Sequence, residues 1–220
     1  MAYWNSRGLR GSALEDIINF TNESYRKKGL ALFQKIPTPI TPVEVDNKRR
    51  TITLAYFDQN STVDYMGVVQ GIPVCFDAKE TEQKHLPLQN IHENQLRFME
   101  DFQAQRGIAF LLVYFSALGE YYFLPLETLQ TYWEAAQKGG RKSIPYAGFE
   151  KKYQIFQQGG GMLHYLEAIA RYLEETEPKG SDGPCGKNLW GNIHWKQLWK
   201  QGRTLRNYMW NRPSATILPW

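Results

Sequence analysis

The chain begins with a helical pattern, in which apolar residues recur every three or four positions from Leu14 to Tyr25. Ser12 and Glu15 stand at the spacing of a capping box, where each side chain bonds a backbone amide of the other and marks a helix start. A glycine follows two lysines at the far end, which is a typical stop signal. The pattern predicts a helix over residues 12–28.

Strand patterns fill the next fifty residues. A short strand is predicted over residues 31–35, and a Pro-Thr-Pro sequence ends it. Residues 43–45 and 51–57 are typical of the two arms of a hairpin with a basic tip. Residues 63–69 and 72–81 flank a Gln-Gly turn and predict a second hairpin. The centre of the chain is therefore predicted to be a meander of antiparallel strands.

The remainder alternates between helical and strand patterns. Residues 108–115 are all apolar, which is typical of a strand buried on both faces. The predicted elements are helices over 92–105, 127–138 and 162–175 and strands over 108–115 and 120–126. Together they predict an α/β fold in which helices flank a mixed sheet.

The net charge of +4 is unevenly distributed. Residues 1–180 carry 20 basic and 21 acidic side chains, whereas residues 181–220 carry six and one. Three basic clusters stand in the near-neutral part, at 26–28, 48–50 and 141–142. Phosphate contact depends on such local clusters, but any one of them is by default a solvated surface patch. Charge alone therefore leaves nucleic-acid binding open, in a chain long enough for one domain and one active site.

Two cysteines, Cys75 and Cys185, are too few for a disulfide framework or a thiolate metal site. A reducing environment is the natural expectation. The N-terminus has no apolar signal core, and no run reaches the roughly 18 apolar residues of a membrane span. We therefore expect a soluble, cytoplasmic protein.

The residues that carry chemistry stand in the second predicted hairpin. Asp77 and Lys79 alternate along one strand and share a face, and the hairpin turn can bring Asp64 beside them. Two carboxylates can hold Mg²⁺, which activates water and polarises a phosphate, and a lysine can stabilise the developing charge. An isolated Asp-x-Lys would more simply be a surface ion pair. Asp64 at hairpin distance favours a metal-dependent nuclease instead.

Seven motifs stand in a fixed order between Arg10 and Tyr172. They are RGSALED at 10–16, PTP at 37–39, AYF at 55–57, DYMG at 64–67, FDAKET at 76–81, PLQN at 87–90 with His92 and Gln95 after it, and GRKSI at 140–144. In this order they resemble the RecU-type Holliday junction resolvases, which are restriction-endonuclease-like nucleases of the PD-(D/E)XK class. Seven colinear matches are hard to explain by chance.

The resemblance implies a homodimer that cuts two opposed strands of a four-way junction, using Mg²⁺, with Mn²⁺ as a substitute, in each subunit. Recombination or branch-migration proteins are further candidate partners. The implied catalytic residues are Asp64, Asp77 and Lys79, and the implied metal ligands are Thr62, Asp64, Asp77 and Gln95. Lys79 would stabilise the transition state. Glu15 could approach the metal as an additional acid, although a capping box is its simpler role.

The same resemblance places a projecting stalk at residues 40–57, which enters the centre of the junction. The implied DNA-binding residues are Arg10, Lys35, Lys48, Arg49, Arg50, Phe57, Arg141 and Lys142. Two positions depart from the family pattern. Asp77 replaces the glutamate of the Glu-x-Lys motif, which affects the geometry of the site, and Ile36 stands where a basic residue is common, so that Lys35 is the substitute.

The C-terminal segment has an unusual composition, since five of the seven tryptophans fall among its basic residues. They are Trp190, Trp195, Trp199, Trp210 and Trp220. We expect a nuclease domain over 1–178 and a basic, Trp-rich helical extension over 179–220. Packing of this helix onto the body or a dimer partner is slightly favoured, because exposed tryptophan clusters reduce solubility. A surface for unpaired bases and a docking site for another protein are the alternatives.

The sequence thus predicts a Mg²⁺-dependent endonuclease that resolves Holliday junctions by symmetric paired nicks in homologous recombination and DNA repair. Two other functions stay open. One is a catalytically silent junction-binding protein that keeps the scaffold without the chemistry. The other is a PD-(D/E)XK nuclease for other branched DNA or for duplex DNA. The presence of Asp64, Asp77 and Lys79 argues against the silent protein.

Overall fold

The computed structural model describes residues 13–57, 62–158 and 161–176. The helices are α1 Ala13–Lys27, α2 Glu93–Ala104, α3 Leu126–Gln137 and α4 Tyr165–Thr176. The strands are β1 Leu32–Lys35, β2 Ile40–Asp46, β3 Thr51–Phe57, β4 Tyr65–Val69, β5 Ile72–Thr81, β6 His85–Pro87, β7 Ile108–Phe115, β8 Glu120–Pro125, β9 Ser143–Pro145, β10 Gln154–Ile155, β11 Gln157–Gln158 and β12 Met162–Leu163. The described residues up to Ile169 belong to one compact unit, which contains all of these strands.

Six strands form the central sheet in the order β1-β4-β5-β7-β8-β10. Neighbouring strands are antiparallel except β5 and β7, which run parallel with Val74 opposite Ile108 and Thr81 opposite Phe115. A parallel pair needs a crossover connection, and α2 supplies it because it lies between the two strands in the chain. The predicted mixed sheet with flanking helices is confirmed.

Both faces of the sheet are covered in its centre. On one face the rings of Tyr65, Phe76 and Phe110 stack in sequence, with centroids 4.8 and 5.0 Å apart. On the other face, alternate residues of β7 join a core to which α2 and α3 contribute. Burial on both faces fixes the register of β5, since a shift of one residue would move Asp77 and Lys79 to the opposite face.

β2 and β3 form a separate two-stranded ribbon. Ile40 pairs with Phe57 at its base and Asp46 with Thr51 near its tip, and most of its side chains are exposed. The predicted hairpin is confirmed, but the predicted continuous meander is wrong, because β4 pairs with β1 and not with β3. An alternating pattern identifies a strand without selecting its partner. Here β1 provides the hydrogen bonds that β3 was expected to give to β4.

The sequence does not predict the short strands. β6 pairs with β9, β10 extends the central sheet, and β11 pairs with β12. Because Met162 and Leu163 pair as β12, α4 begins at Tyr165, three residues later than predicted. Strands of two or three residues contain too few positions to show an alternating pattern. The other predicted elements are present, with bounds that differ by at most three residues.

No helix in the part of the chain that the structure describes is long and apolar enough to cross a membrane. Cys75 is a free, buried cysteine of β5, and burial raises the pKa of its thiol to about 12. The thiol therefore stays protonated and unreactive at neutral pH. Cys185 and the Trp-rich extension lie outside the described residues.

Gly67 allows β1 to approach β4 closely. A Cβ atom at this position would lie 2.1 Å from the backbone oxygen of Leu32 and 2.8 Å from the Cα of Phe33. Backbone atoms cannot move aside as the end of a flexible side chain can, so Gly67→Ala should lower the free energy of unfolding by about 2–4 kcal/mol. Urea unfolding would measure the change. Val68→Ala, at the exposed neighbouring position, is the control and should cost less than about 1 kcal/mol; equal losses in the two variants would contradict the packing argument.

Candidate active site

Asp77 and Lys79 lie on one face of β5 and contact each other. Lys79 Nζ lies 2.7 Å from Asp77 Oδ2, the carboxylate is fully buried, and the lysine side chain is 16% exposed. The period of two along the strand places both side chains on this face. Burial of the carboxylate distinguishes the pair from an exposed surface ion pair, which contributes little to stability.

Asp64 reaches the same place from the position just before β4. Its Oδ2 accepts a 2.9 Å hydrogen bond from the backbone amide of Ala78, the residue between Asp77 and Lys79. The β4–β5 hairpin pairs residue 65 with residue 76, which brings Asp64 to the level of Asp77. Two carboxylates and one lysine therefore converge in the fold.

Gln95 joins this group from the first turn of α2 and is 5% exposed. Its Nε2 donates a 2.8 Å hydrogen bond to Asp77 Oδ1. Its Oε1 accepts a 3.2 Å hydrogen bond from the backbone amide of His92 and makes a longer contact of 3.4 Å with Lys79 Nζ. Gln95 is thus bonded to both members of the ion pair, and its amide nitrogen, not its oxygen, faces the Asp77 carboxylate.

The surroundings of Asp77 favour its protonated form. Burial raises the pKa of this carboxyl to about 7. The Lys79 ammonium lowers the pKa and the Asp64 carboxylate raises it, but burial has the largest effect. A cation on the carboxylate would favour the charged form instead. A cation bound at Asp77 would therefore shift this carboxyl toward its charged form.

The donor set around Asp77 fits a divalent cation. Asp77 Oδ2 is buried and receives no hydrogen bond of acceptable geometry, although the Lys79 ammonium lies at ion-pair distance. Among the described residues no three His, Cys, Asp or Glu side chains converge to hold a metal. A cation here would have two carboxylates, neutral oxygen donors and waters, which is a set that Mg²⁺ accepts. Thr62, half-buried two residues before Asp64, is near enough in the chain to belong to it.

Glu15 of α1 forms an ion pair with Lys35, the last residue of β1. The backbone amide of Ile36 donates a 2.8 Å hydrogen bond to the carbonyl oxygen of Asp64, so this pair lies at the same end of the sheet as Asp64. Ser12, the predicted capping partner of Glu15, lies outside the described residues. Glu15 therefore has a contact with Lys35 that the capping-box pattern did not predict.

The basic cluster of the hairpin lies in the exposed turn between β2 and β3. Asp46 shapes this turn, because its Oδ1 accepts hydrogen bonds from the backbone amides of Lys48 and Arg49 at 2.9 and 3.1 Å. Arg50 completes it with a positive φ of 52°. The side chain of Arg49 is 84% exposed, and its 3.8 Å contact with Asp46 is weak. Three cations are thus presented at the end of the ribbon.

Arg141 and Lys142 follow α3 and are both exposed. Arg141 Nε donates a 2.8 Å hydrogen bond to Ser143 Oγ, and the carbonyl oxygen of Lys142 accepts one of 3.1 Å from the amide of Leu88. The pairing of β6 with β9 therefore fixes the backbone at this basic pair. The predicted DNA contacts whose side chains are not described are Arg10 and Phe57.

Sequence reasoning missed the backbone groups that hold the site together. The amide of Ala78 fixes Asp64, and the amide of His92 fixes Gln95. No side-chain pattern reveals these contacts, because every residue other than proline has such an amide. For these two contacts the sequence indicated only the strand that carries Ala78 and the start of the helix that follows His92.

Residues 9–171 match the family model described as recombination protein U. The match includes the ribbon, the carboxylates, Lys79 and Gln95. The chain belongs to the recombination protein U family. Similar curated members of this family carry the name Holliday junction resolvase RecU, so the resemblance drawn from the seven motifs is confirmed.

Three of these relatives illustrate the similarity. The protein of Lactococcus lactis subsp. cremoris strain MG1363 is 46% identical over 172 residues, which are 76% of this chain and 80% of the relative. That of Pediococcus pentosaceus is 40% identical over 172 residues, 76% of this chain and 86% of the relative. That of Geobacillus kaustophilus is 47% identical over 146 residues, which are 64% of this chain and 73% of the relative. A solved structure of the Holliday junction resolvase Hjc of Archaeoglobus fulgidus aligns with a TM-score of 0.40 at 8% identity, over 61% of this chain and 90% of that one.

Proposed function

We propose that this chain is a Mg²⁺-dependent endonuclease that resolves four-way DNA junctions by paired nicks in opposed strands, in homologous recombination and DNA repair. The observation that carries the proposal is the buried Asp77–Lys79 pair, with Asp64 and Gln95 bonded around it, in a member of the recombination protein U family. Curated relatives are named Holliday junction resolvases.

The chain's own oxygen donors define where the metal would sit. Bound Mg²⁺ supplies Lewis-acid chemistry, which polarises the scissile phosphate and lowers the pKa of a water molecule. Asp64 and Asp77 would hold it through carboxylate oxygens, and Thr62 and Gln95 would add neutral ones. Gln95 has to turn its amide for this role, because its nitrogen now faces Asp77. Mn²⁺ has similar ligand preferences and would substitute.

Lys79 is placed to stabilise negative charge on the phosphate. Its Nζ lies beside a buried carboxylate while its side chain keeps 16% exposure, so that the ammonium has access to bound substrate. A fixed ammonium next to a poorly solvated reaction centre stabilises developing charge more than a solvated one does. Glu15 and Lys35, at the same end of the sheet, would act as an additional acid and a phosphate contact.

Junction binding would use the exposed cations and twofold symmetry. Lys48, Arg49 and Arg50 at the tip of the ribbon would meet the converging phosphates at the junction centre, where charge density is high. Arg141 and Lys142 would contact a flanking duplex. Since a four-way junction has twofold symmetry, a homodimer would place one site on each of two opposed strands. The family match supports a nuclease domain over residues 1–178, with 179–220 as an extension.

The test is cleavage of a synthetic four-way junction beside a linear duplex of the same sequence. In Mg²⁺ the full chain should place symmetric paired nicks in the junction, leave the duplex intact, and lose activity in EDTA. Junction binding without cleavage would favour a catalytically silent protein. Comparable cleavage of both substrates would favour a nuclease for other branched or duplex DNA.

Metal affinity should depend steeply on pH. Below a pKa of about 7 the Asp77 carboxyl binds a proton, and above it the carboxylate is free to bind Mg²⁺. Each unit of pH below about 6.5 should therefore weaken Mg²⁺ binding about tenfold, with little change above about 8. Isothermal titration of the DNA-free protein from pH 5.5 to 8.5 would measure this. A flat profile over the range would contradict proton competition at Asp77.

A further inference from the structure

Asp77 and Lys79 form a closed arrangement, in which the lysine ammonium lies against the carboxylate. The carboxylate is fully buried, and a buried charge needs a counter-charge nearby. The Lys79 ammonium, 2.7 Å from Oδ2, provides that charge. Among the ion pairs of the described residues, Asp77 takes part only in this one. Lys79 therefore supplies to Asp77 the positive charge that a bound cation would otherwise supply.

The two carboxylate oxygens of Asp77 are not equivalent. Oδ1 accepts the 2.8 Å hydrogen bond from Gln95, whereas Oδ2 receives no hydrogen bond of acceptable geometry and lies 2.7 Å from the Lys79 ammonium. Oδ2 is thus the oxygen that is free to bind a cation, and it is also the oxygen that Lys79 holds. A cation held by Oδ2 would lie close to Nζ, and two positive charges at short range repel each other.

Gln95 stabilises the closed arrangement. Its Nε2 is bonded to Asp77, and its Oε1 is directed to Lys79 Nζ and to the backbone amide of His92. Both partners of the ion pair are therefore tied to the first turn of α2. The Gln95 oxygen cannot bind a metal beside Asp77 without leaving these donors. Because Gln95 contacts both partners, Lys79 would leave Asp77 in the same conformational change in which the Gln95 amide rotates.

We propose that the Lys79 ammonium occupies the place that a cation would take on Asp77 Oδ2, and that this ammonium would have to leave Oδ2 and turn toward the substrate for Mg²⁺ to be held there. The inference rests on the proposed function for the identity of the cation. It makes Lys79 a residue that sets the Mg²⁺ concentration at which the site assembles. The ammonium that stabilises substrate charge would become available only after the metal has bound.

The first experiment measures Mg²⁺ binding to the full chain without DNA, by isothermal titration at pH 8.5, where protons do not compete for Asp77. Lys79→Met removes the charge and keeps a flexible chain of similar length. Lys79→Gln keeps a donor to Asp77 without the charge and serves where the methionine variant fails to fold. Lys84→Met makes the same change at an exposed position after β5 and is the matched control. Both Lys79 variants should bind Mg²⁺ at least about tenfold more tightly than the natural chain, and the control should be unchanged.

A second measurement compares urea unfolding in EDTA with unfolding in saturating Mg²⁺. The gain in stability on adding Mg²⁺ should be larger in the Lys79 variants than in the natural chain, because a ligand that binds more tightly stabilises more. A residue that only supported the fold would lower stability equally in both buffers. Unchanged or weaker Mg²⁺ binding by both Lys79 variants, or no detectable binding, would overturn the proposal.

These outcomes separate the inference from the proposed function. Junction cleavage by the natural chain, without tighter metal binding in the Lys79 variants, would overturn the inference and leave the resolvase intact. Tighter binding in both variants, without junction cleavage by the natural chain, would support the inference while the proposed function failed.

Discussion

Asp77→Asn should reduce Mg²⁺-dependent cleavage of a four-way junction at least about 10³-fold, because a metal held at the proposed site would supply several kcal/mol of charge stabilisation in the transition state. The asparagine keeps the shape of the side chain and an oxygen that can accept the hydrogen bond from Gln95. It removes the negative charge that pairs with Lys79 and would hold the metal. Cleavage of labelled junction strands in single-turnover assays would measure the rate.

Junction binding should survive this substitution. The loss of one buried negative charge does not remove a phosphate contact, so the dissociation constant in EDTA should change by less than about threefold. Asp101→Asn makes the same chemical change on the exposed face of α2 and should leave cleavage unaltered. Residual cleavage above about a tenth of the natural rate in Asp77→Asn would exclude this carboxylate as a principal metal ligand.

The convergence of Asp64, Asp77 and Lys79 could be predicted because it depends on two simple periodicities. Alternation along one strand places Asp77 and Lys79 together, and a two-residue turn fixes the register of the hairpin that brings Asp64. The buried strand β7 could be predicted equally well, since its eight residues are all apolar. A local pattern that repeats over several residues identifies an element correctly even when its tertiary contacts are unknown.

What the sequence could not supply is the pairing between distant segments. The position of β4 between β1 and β5, and the separate ribbon of β2 and β3, depend on which strands meet in space. The link between Glu15 and Lys35 joins elements twenty residues apart, where no spacing rule applies. The orientation of the Gln95 amide is set by the backbone of His92 and by Lys79, and no spacing in the sequence indicates either contact.

Replacing Lys48, Arg49 and Arg50 together by alanine should weaken junction binding about 10- to 100-fold and duplex binding much less. The three side chains lie at the tip of an exposed ribbon whose turn is set by backbone hydrogen bonds to Asp46, so their removal leaves the turn intact. Removal of one phosphate interaction should reduce the slope of log affinity against log salt by about 0.9, and removal of three should reduce it by about 2.7. Binding of both substrates across a range of salt concentrations would measure the change.

The cluster of Arg26, Lys27 and Lys28 provides the matched control, because it carries the same three positive charges and lies away from the ribbon, at the C-terminal end of α1. Arg26 and Lys27 already pair with Glu23, so their replacement by alanine should change junction and duplex affinity equally and by less than about threefold. Equal losses on both substrates in the ribbon variant would contradict entry of the tip into the junction centre. A selective loss with an unchanged salt slope would show that the tip contacts unpaired bases and not phosphates, because phosphate contacts release counterions and base contacts do not.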